Sequence, residues 1–134
     1  MRNARRLSLL LDRRLEPLCK LVVERPPQGW ARAIRDALGM TKSQLARRMG
    51  VSSSTVAELE RSEVRETITL ASLRRLAKGL DCRVVYALVP NGADSLEALV
   101  RDRAESLVSE QVPRGLRGAL VTILTHGGRK SLWG

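Results

Sequence analysis

The chain has 134 residues, enough for one compact domain with extensions at its ends and too few for a typical two-domain enzyme. Lys and Arg number 24 against 14 Asp and Glu, a formal charge of +10 that favours a polyanionic partner such as nucleic acid. Aromatics are 2% (Trp30, Tyr86 and Trp133), which argues against a single-strand binder or an RNA-recognition sheet built on stacked aromatics.

Residues 4–25 carry a helical pattern, with Leu7, Leu11, Leu15, Leu18 and Val22 recurring at spacings of three and four. Pro17 interrupts it, so the expectation is a kink or two shorter helices. The run Arg25-Pro26-Pro27-Gln28-Gly29 reads as a linker. A short helix follows over residues 30–38, its apolar stripe formed by Trp30, Ile34, Ala37 and Leu38. Thr41 caps a second helix, Lys42–Met49, ended by Gly50. Ser52 caps a third, about Ser53 to Arg61. Thr69 caps a fourth, Leu70–Lys78, with Gly79 at its end. Cys82 to Val89 is short, apolar and β-branched and reads as a strand, closed by Pro90-Asn91-Gly92. A lone strand leaves backbone groups unpaired. Two solutions stand side by side: Arg83–Val89 pairs with a second copy across a two-fold axis, making Val84, Val85, Tyr86 and Leu88 dimer residues, or it pairs with Glu66–Thr69 or the tail. Ser95 caps a fifth helix, to about Glu110. The run Ala119–Leu124 is equally consistent with strand, helix or disorder.

The expected class is mainly α, a helix-turn-helix bundle with an N-terminal helix, one short strand and a C-terminal helix. Its expected organisation is a helical arm over 1–25, a DNA-binding domain over 26–80, a strand and helix over 81–112 for dimerisation or partner binding, and a basic tail over 113–134. The apolar run Leu9–Leu11 stops at Asp12, too short for a secretory signal, and no uncharged run is long enough for a bilayer, so a cytoplasmic protein is expected. Cys19 and Cys82 form no C-x-x-C, and His126 is the single histidine; neither a disulfide nor a metal site is expected. Enzyme chemistry has no support, because no nucleophile sits beside a base and no Gly-rich phosphate loop is present. No cofactor is expected.

Residues 40–60 carry the functional signal. Ala46 is small where two helices cross, Gly50 makes the turn, and Val51, Val56 and Leu59 pack the second helix on the first. The remaining face of that second helix presents Ser53, Ser54, Ala57 and Glu58, expected to meet base edges in the major groove. Thr41, Lys42, Arg47, Arg48, Ser52 and Thr55 are the expected phosphate contacts, with Arg32, Arg35 and Arg74 as further cationic candidates. Lys and Arg are missing from the base-facing side until Arg61, so shape readout and a dimer must supplement direct contacts.

Residues 30–80 resemble the Xre/Cro family of helix-turn-helix regulators. Arg25-Pro26-Pro27-Gln28-Gly29-Trp30, Leu38-Gly39-Met40-Thr41, Gln44-Leu45-Ala46, Ile68-Thr69-Leu70, the run from Asp81 to Pro90, and Leu132-Trp133 look like the mobile mystery protein A family. Residues 109–131 depart from that pattern. The first resemblance implies a homodimeric repressor on a palindromic operator. The second implies a Fic-domain partner, an enzyme class that transfers AMP to hydroxyls, and hence an antitoxin that represses its own operon. Ser106 and Glu110 are the nearest approach to the Ser/Thr-x-x-x-Glu helix that inhibits such enzymes, although Gln111 does not complete the motif. Two other readings stand beside this one: a stand-alone repressor of a phage or mobile element, and a protein inhibitor that does not bind DNA alone.

Overall fold

The computed structural model describes residues 2–134, the side chain of Arg2 aside. Its helices are α1 (Arg2–Cys19), α2 (Trp30–Ala37), α3 (Lys42–Met49), α4 (Ser53–Val64), α5 (Leu70–Gly79), α6 (Leu96–Gln111) and α7 (Arg114–His126), followed by a 3₁₀ turn, Arg129–Trp133. The chain divides into two compact units. One is Val23–Tyr86 and contains α2–α5. The other joins the residues up to Val22 with Ala87–Gly134 and contains α1, α6, α7 and the 3₁₀ turn.

In the first unit Leu45, Val56 and Leu76 are fully buried, with Ala31, Ala46 and Leu80 around them. Local chemistry starts and stops its helices where the sequence signals them. Thr41 Oγ1 accepts from Gln44 N at 3.1 Å while the Gln44 side chain accepts from Thr41 N at 2.9 Å, a complete capping box. Gly50 sits at φ 71°, the left-handed conformation that ends α3. Ser52 accepts from Thr55 N at 3.2 Å, and Thr69 from Ser72 N at 3.1 Å. Gly79 serves packing: a Cβ there would lie 2.7 Å from Leu45 Cδ1 and 2.9 Å from Met49 Cγ, so only glycine lets α5 come this close to α3. Trp30 and Leu38, expected inward, are exposed.

Two carboxylates on α4 hold α2. Glu63 accepts from Trp30 N at 2.7 Å and from Ala31 N at 2.8 Å, satisfying donors that Gly29, lacking a side chain, cannot. Gly29 stands at φ 88°, and a Cβ there would lie 3.0 Å from the Glu63 carboxylate. Glu60 accepts from Arg35 Nε at 2.8 Å and from Nη2 at 3.1 Å, both side chains being buried. Arg35 is therefore removed from the candidate phosphate contacts, since its guanidinium is spent on Glu60 and on the Met40 carbonyl.

The expected strand over Cys82–Val89 is absent, as is any strand among the described residues. The β-branched run still leaves α5, with Cys82 N donating to Ala77 O at 2.8 Å, but neither Glu66–Thr69 nor the tail pairs with it. The tail cannot, because residues 114–126 are helical. Strand propensity favours extended backbone, but a ladder needs a second edge, and this chain supplies none.

In the second unit α1 passes through Pro17 and ends at Cys19, one helix and not the two shorter ones that were one of the expectations, and residues 20–25 are not helical. Pro17 lies in the last turn, where its missing N–H leaves little helix to disrupt. Leu11, Leu15 and Leu18 are half-buried, whereas Leu7 is exposed. Val100, Ala104 and Leu132 form the core. Asp12 accepts from Leu96 N at 2.7 Å and Glu97 N at 3.2 Å, capping α6 from α1. Glu97 accepts from Ser8 Oγ and, at 2.6 Å, from Arg129 Nη2, while Arg129 Nη1 donates to Ser8 Oγ at 3.1 Å. Burial pushes the Glu97 carboxyl up, but the hydrogen bonds from Ser8 and Arg129 outweigh it and hold the group below the ordinary carboxylate range.

Arg35→Met, which leaves Glu60 charged and buried, is expected to lose about 3–5 kcal/mol in urea unfolding, and Arg35→Met with Glu60→Leu to recover most of it. The depressed Glu97 carboxyl gives stability that is full above its unfolded value, about 4.3, and is lost as pH falls through the lower folded value. The acid-induced loss of stability is expected to shrink in Glu97→Gln, measured as urea midpoint against pH.

Candidate nucleic-acid interface

The hairpin α3–Gly50–α4 divides α4 into two faces. Val56 and Leu59 pack inward, joined by the buried acids Glu60 and Glu63. Ser53, Ser54, Thr55, Glu58 and Arg61 are exposed, and Ala57 is half-buried. The base-facing residues expected from the sequence thus come together on one side of one helix, with Ala57 recessed.

The hydroxyls at the α4 N-terminus engage one another. Ser52 Oγ lies 3.0 Å from Ser54 Oγ and 2.9 Å from Thr55 Oγ1, and Ser53 Oγ lies 3.1 Å from Ser43 Oγ. Each hydroxyl can donate and accept, so the cluster can turn toward a base edge or a phosphate without leaving an unpaired group buried. Glu58 accepts from Arg61 Nη2 at 2.7 Å. That hydrogen bond and the Arg61 charge hold the Glu58 carboxyl below its ordinary range, so it stays ionised near neutrality.

The expected phosphate contacts fall into two groups. Lys42 and Arg47 are exposed and take part in none of the ion pairs among the described residues, so their charge is available. Arg48 is committed: its Nε donates to Gly79 O at 2.7 Å and its Nη2 lies 2.8 Å from Asp81. Thr41 and Ser52 act as helix caps with exposed oxygens. Sequence reasoning passed over a recess of about 440 Å³ beside Ala57, edged by Arg32, Lys42, Arg61 and Arg65. Its only signal was the spacing of Ala57, Arg61 and Arg65 along α4, readable once that face is known to be the outer one.

The remaining candidates lie elsewhere. Val84 is half-buried, and Val85, Tyr86 and Leu88 are exposed. The Arg74 guanidinium lies 5.7 Å from the centre of the Tyr86 ring, a cation–π contact that occupies this cation. Ser106 and Glu110 are exposed on α6, in the other unit. Among the described residues no cluster of His, Cys, Asp and Glu suits a metal ion, and no helix is long and apolar enough to cross a membrane.

Residues 32–86, about two fifths of the chain, match the helix-turn-helix family model, which covers the interface just described. No curated protein and no solved structure matches the chain. The match supports an Xre-type helix-turn-helix in this segment and a DNA-binding transcription regulator. It gives no support to the mobile mystery protein A assignment or to a Fic-domain association.

Ser52→Ala removes the α4 cap and is expected to lower stability by about 1 kcal/mol in urea unfolding. Ser54→Ala, on the outer face, is expected to change it by less than about 0.5 kcal/mol.

Proposed function

We propose that this protein is a sequence-specific DNA-binding repressor that enters the major groove with the outer face of α4. The observation that carries the reading is the division of labour on that helix. Val56, Leu59, Glu60 and Glu63 face inward, leaving Ser53, Ser54 and Glu58 exposed, with the unpaired cations Lys42 and Arg47 exposed on α3. Serine hydroxyls can bond several bases, Ala57 suits a thymine methyl and Glu58 can accept from cytosine N4. Lys42 and Arg47, with the Arg32–Arg65 recess, supply sequence-independent affinity for phosphates.

The repressor acts sterically, as a homodimer on a near-palindromic operator with half-sites about 34 Å apart. Dimerisation through Arg83–Val89 is favoured by its backbone, which makes no hydrogen bond among the described residues, and by the exposure of Val85, Tyr86 and Leu88. The biological setting proposed is autoregulation of a toxin–antitoxin operon with a Fic-domain enzyme as partner. This setting rests on the sequence resemblance, with Ser106 and Glu110 exposed on α6 as the residues such a partner would meet.

The test uses a duplex selected from a randomised pool by the wild-type protein, beside a scrambled duplex. Ser54→Glu is expected to weaken the selected duplex on the order of 100-fold more than the scrambled one. Arg47→Ala is expected to weaken both alike and to reduce the slope of log K against log salt by about 0.9. Equal losses on the two duplexes for Ser54→Glu would move the groove contact away from α4.

A further inference from the structure

The net charge is split evenly between the two units. Each contains twelve Lys and Arg against seven Asp and Glu, so the helix-turn-helix unit accounts for +5 and the other unit for an equal +5. The second half has no role in the reading above, and α1 shows how it is displayed.

Ser8, Leu11, Asp12, Leu15, Leu18 and Cys19 mark the covered side of α1. Arg6 and Arg13 lie seven residues apart on the opposite side, two turns or about 10.5 Å along the axis, with Arg14 one step round. All three are exposed, and none takes part in an ion pair among the described residues. Two acids of this unit that bear on α1 are turned inward. Asp12 spends both oxygens on the α6 backbone, and Glu97 is held by Ser8 and Arg129, leaving Glu16 as the exposed acid of α1. Asp12 and Glu97 are thus spent on internal contacts, while Asp94, Asp102, Glu105 and Glu110 are exposed off α1.

We propose that α1 is a second phosphate-binding surface, in which Arg6, Arg13 and Arg14 contact the backbone of duplex DNA. Double-stranded DNA is the favoured polyanion for two reasons. Trp133 is this unit's single aromatic residue, so base stacking is not available, whereas arginines on a rigid helix suit a regular line of phosphates. An interfacial membrane helix needs an apolar stripe set apart from its cations, whereas Leu11, Leu15 and Leu18 are half-buried in this unit and the exposed Leu7, Leu9 and Leu10 are scattered among the arginines. These contacts carry no sequence information. They raise affinity on any duplex and lengthen the footprint. The inference rests on the DNA-binding reading.

The experiment compares full-length wild type with Arg6→Ala/Arg13→Ala/Arg14→Ala on the selected and scrambled duplexes across a salt series, with Arg47→Ala in parallel. Alanine at exposed helix positions keeps α1 intact, which circular dichroism and the urea midpoint check. The slope of log K against log salt is expected to fall by about 2.7, or 0.9 per arginine, equally on both duplexes. The corresponding Arg→Lys variant is expected to keep the wild-type slope. An unchanged slope for the triple alanine variant, with a reduced one for Arg47→Ala, would overturn the inference and leave the α4 reading standing. An unchanged slope for both variants, or no binding by wild type, would overturn both. Loss of binding to anionic phosphatidylserine vesicles with an unchanged DNA slope would assign the arginines to a lipid surface and overturn the inference.

Discussion

Glu60 and Glu63, three residues apart and so on one side of α4, do the same job: they anchor α2. Glu63 supplies the acceptor that Gly29 lacks, and Glu60 forms a buried two-pronged pair with Arg35. A charge in such a place is tolerated only while its partner is present, so α2 and α4 are locked as a pair. The lock has a functional consequence. Because packing and the buried ion pair fall on the inner face, the outer face carries only the exposed Glu58–Arg61 pair and can be given to recognition. The Gly50 turn then fixes the angle between α3 and α4, and so how α4 presents that face.

The helix-turn-helix unit was legible because its punctuation is local. Thr41, Gly50, Ser52 and Thr69 act through backbone groups two to four residues away, and α3 begins and ends where these residues say. The apolar spacing likewise identified Val56 as core. What escaped the sequence is what depends on distant partners. Glu60 and Glu63 look like surface acids until α2 is seen above them, and Arg35 looks like a free cation until it meets Glu60. Arg48 looks equally free, yet its guanidinium reaches the end of α5 and Asp81. The Cys82–Val89 run misled for a related reason: its propensity is real, but a strand is a property of two segments.

The second unit was harder to read. Nothing local in residues 4–25 announces that Ser8 and Asp12 meet α6, some 85 positions away, or that Arg129 closes the same network. Residues 113–126 carry two glycines and a β-branched apolar run, signals that pull against a helix, yet α7 forms because α6 and the 3₁₀ turn pack on it. The outcome is a unit in which Asp12, Glu97 and Arg129 are spent on internal contacts while Arg6, Arg13 and Arg14 stay exposed on α1. On the proposed reading, that arrangement would spread phosphate contacts over two surfaces while confining sequence recognition to one.

The central claim is that this chain recognises DNA by sequence and does not merely attract it by charge. The most direct measurement is titration of the purified protein against DNA from immediately upstream of its own gene, beside a scrambled duplex of the same composition, at two salt concentrations. The account predicts tighter binding to the upstream duplex at both salts, with a similar salt slope on each, because phosphate contacts are shared and base contacts are not. Equal binding to both duplexes, vanishing together at the higher salt, would contradict it and leave the +10 charge as the whole of the interaction.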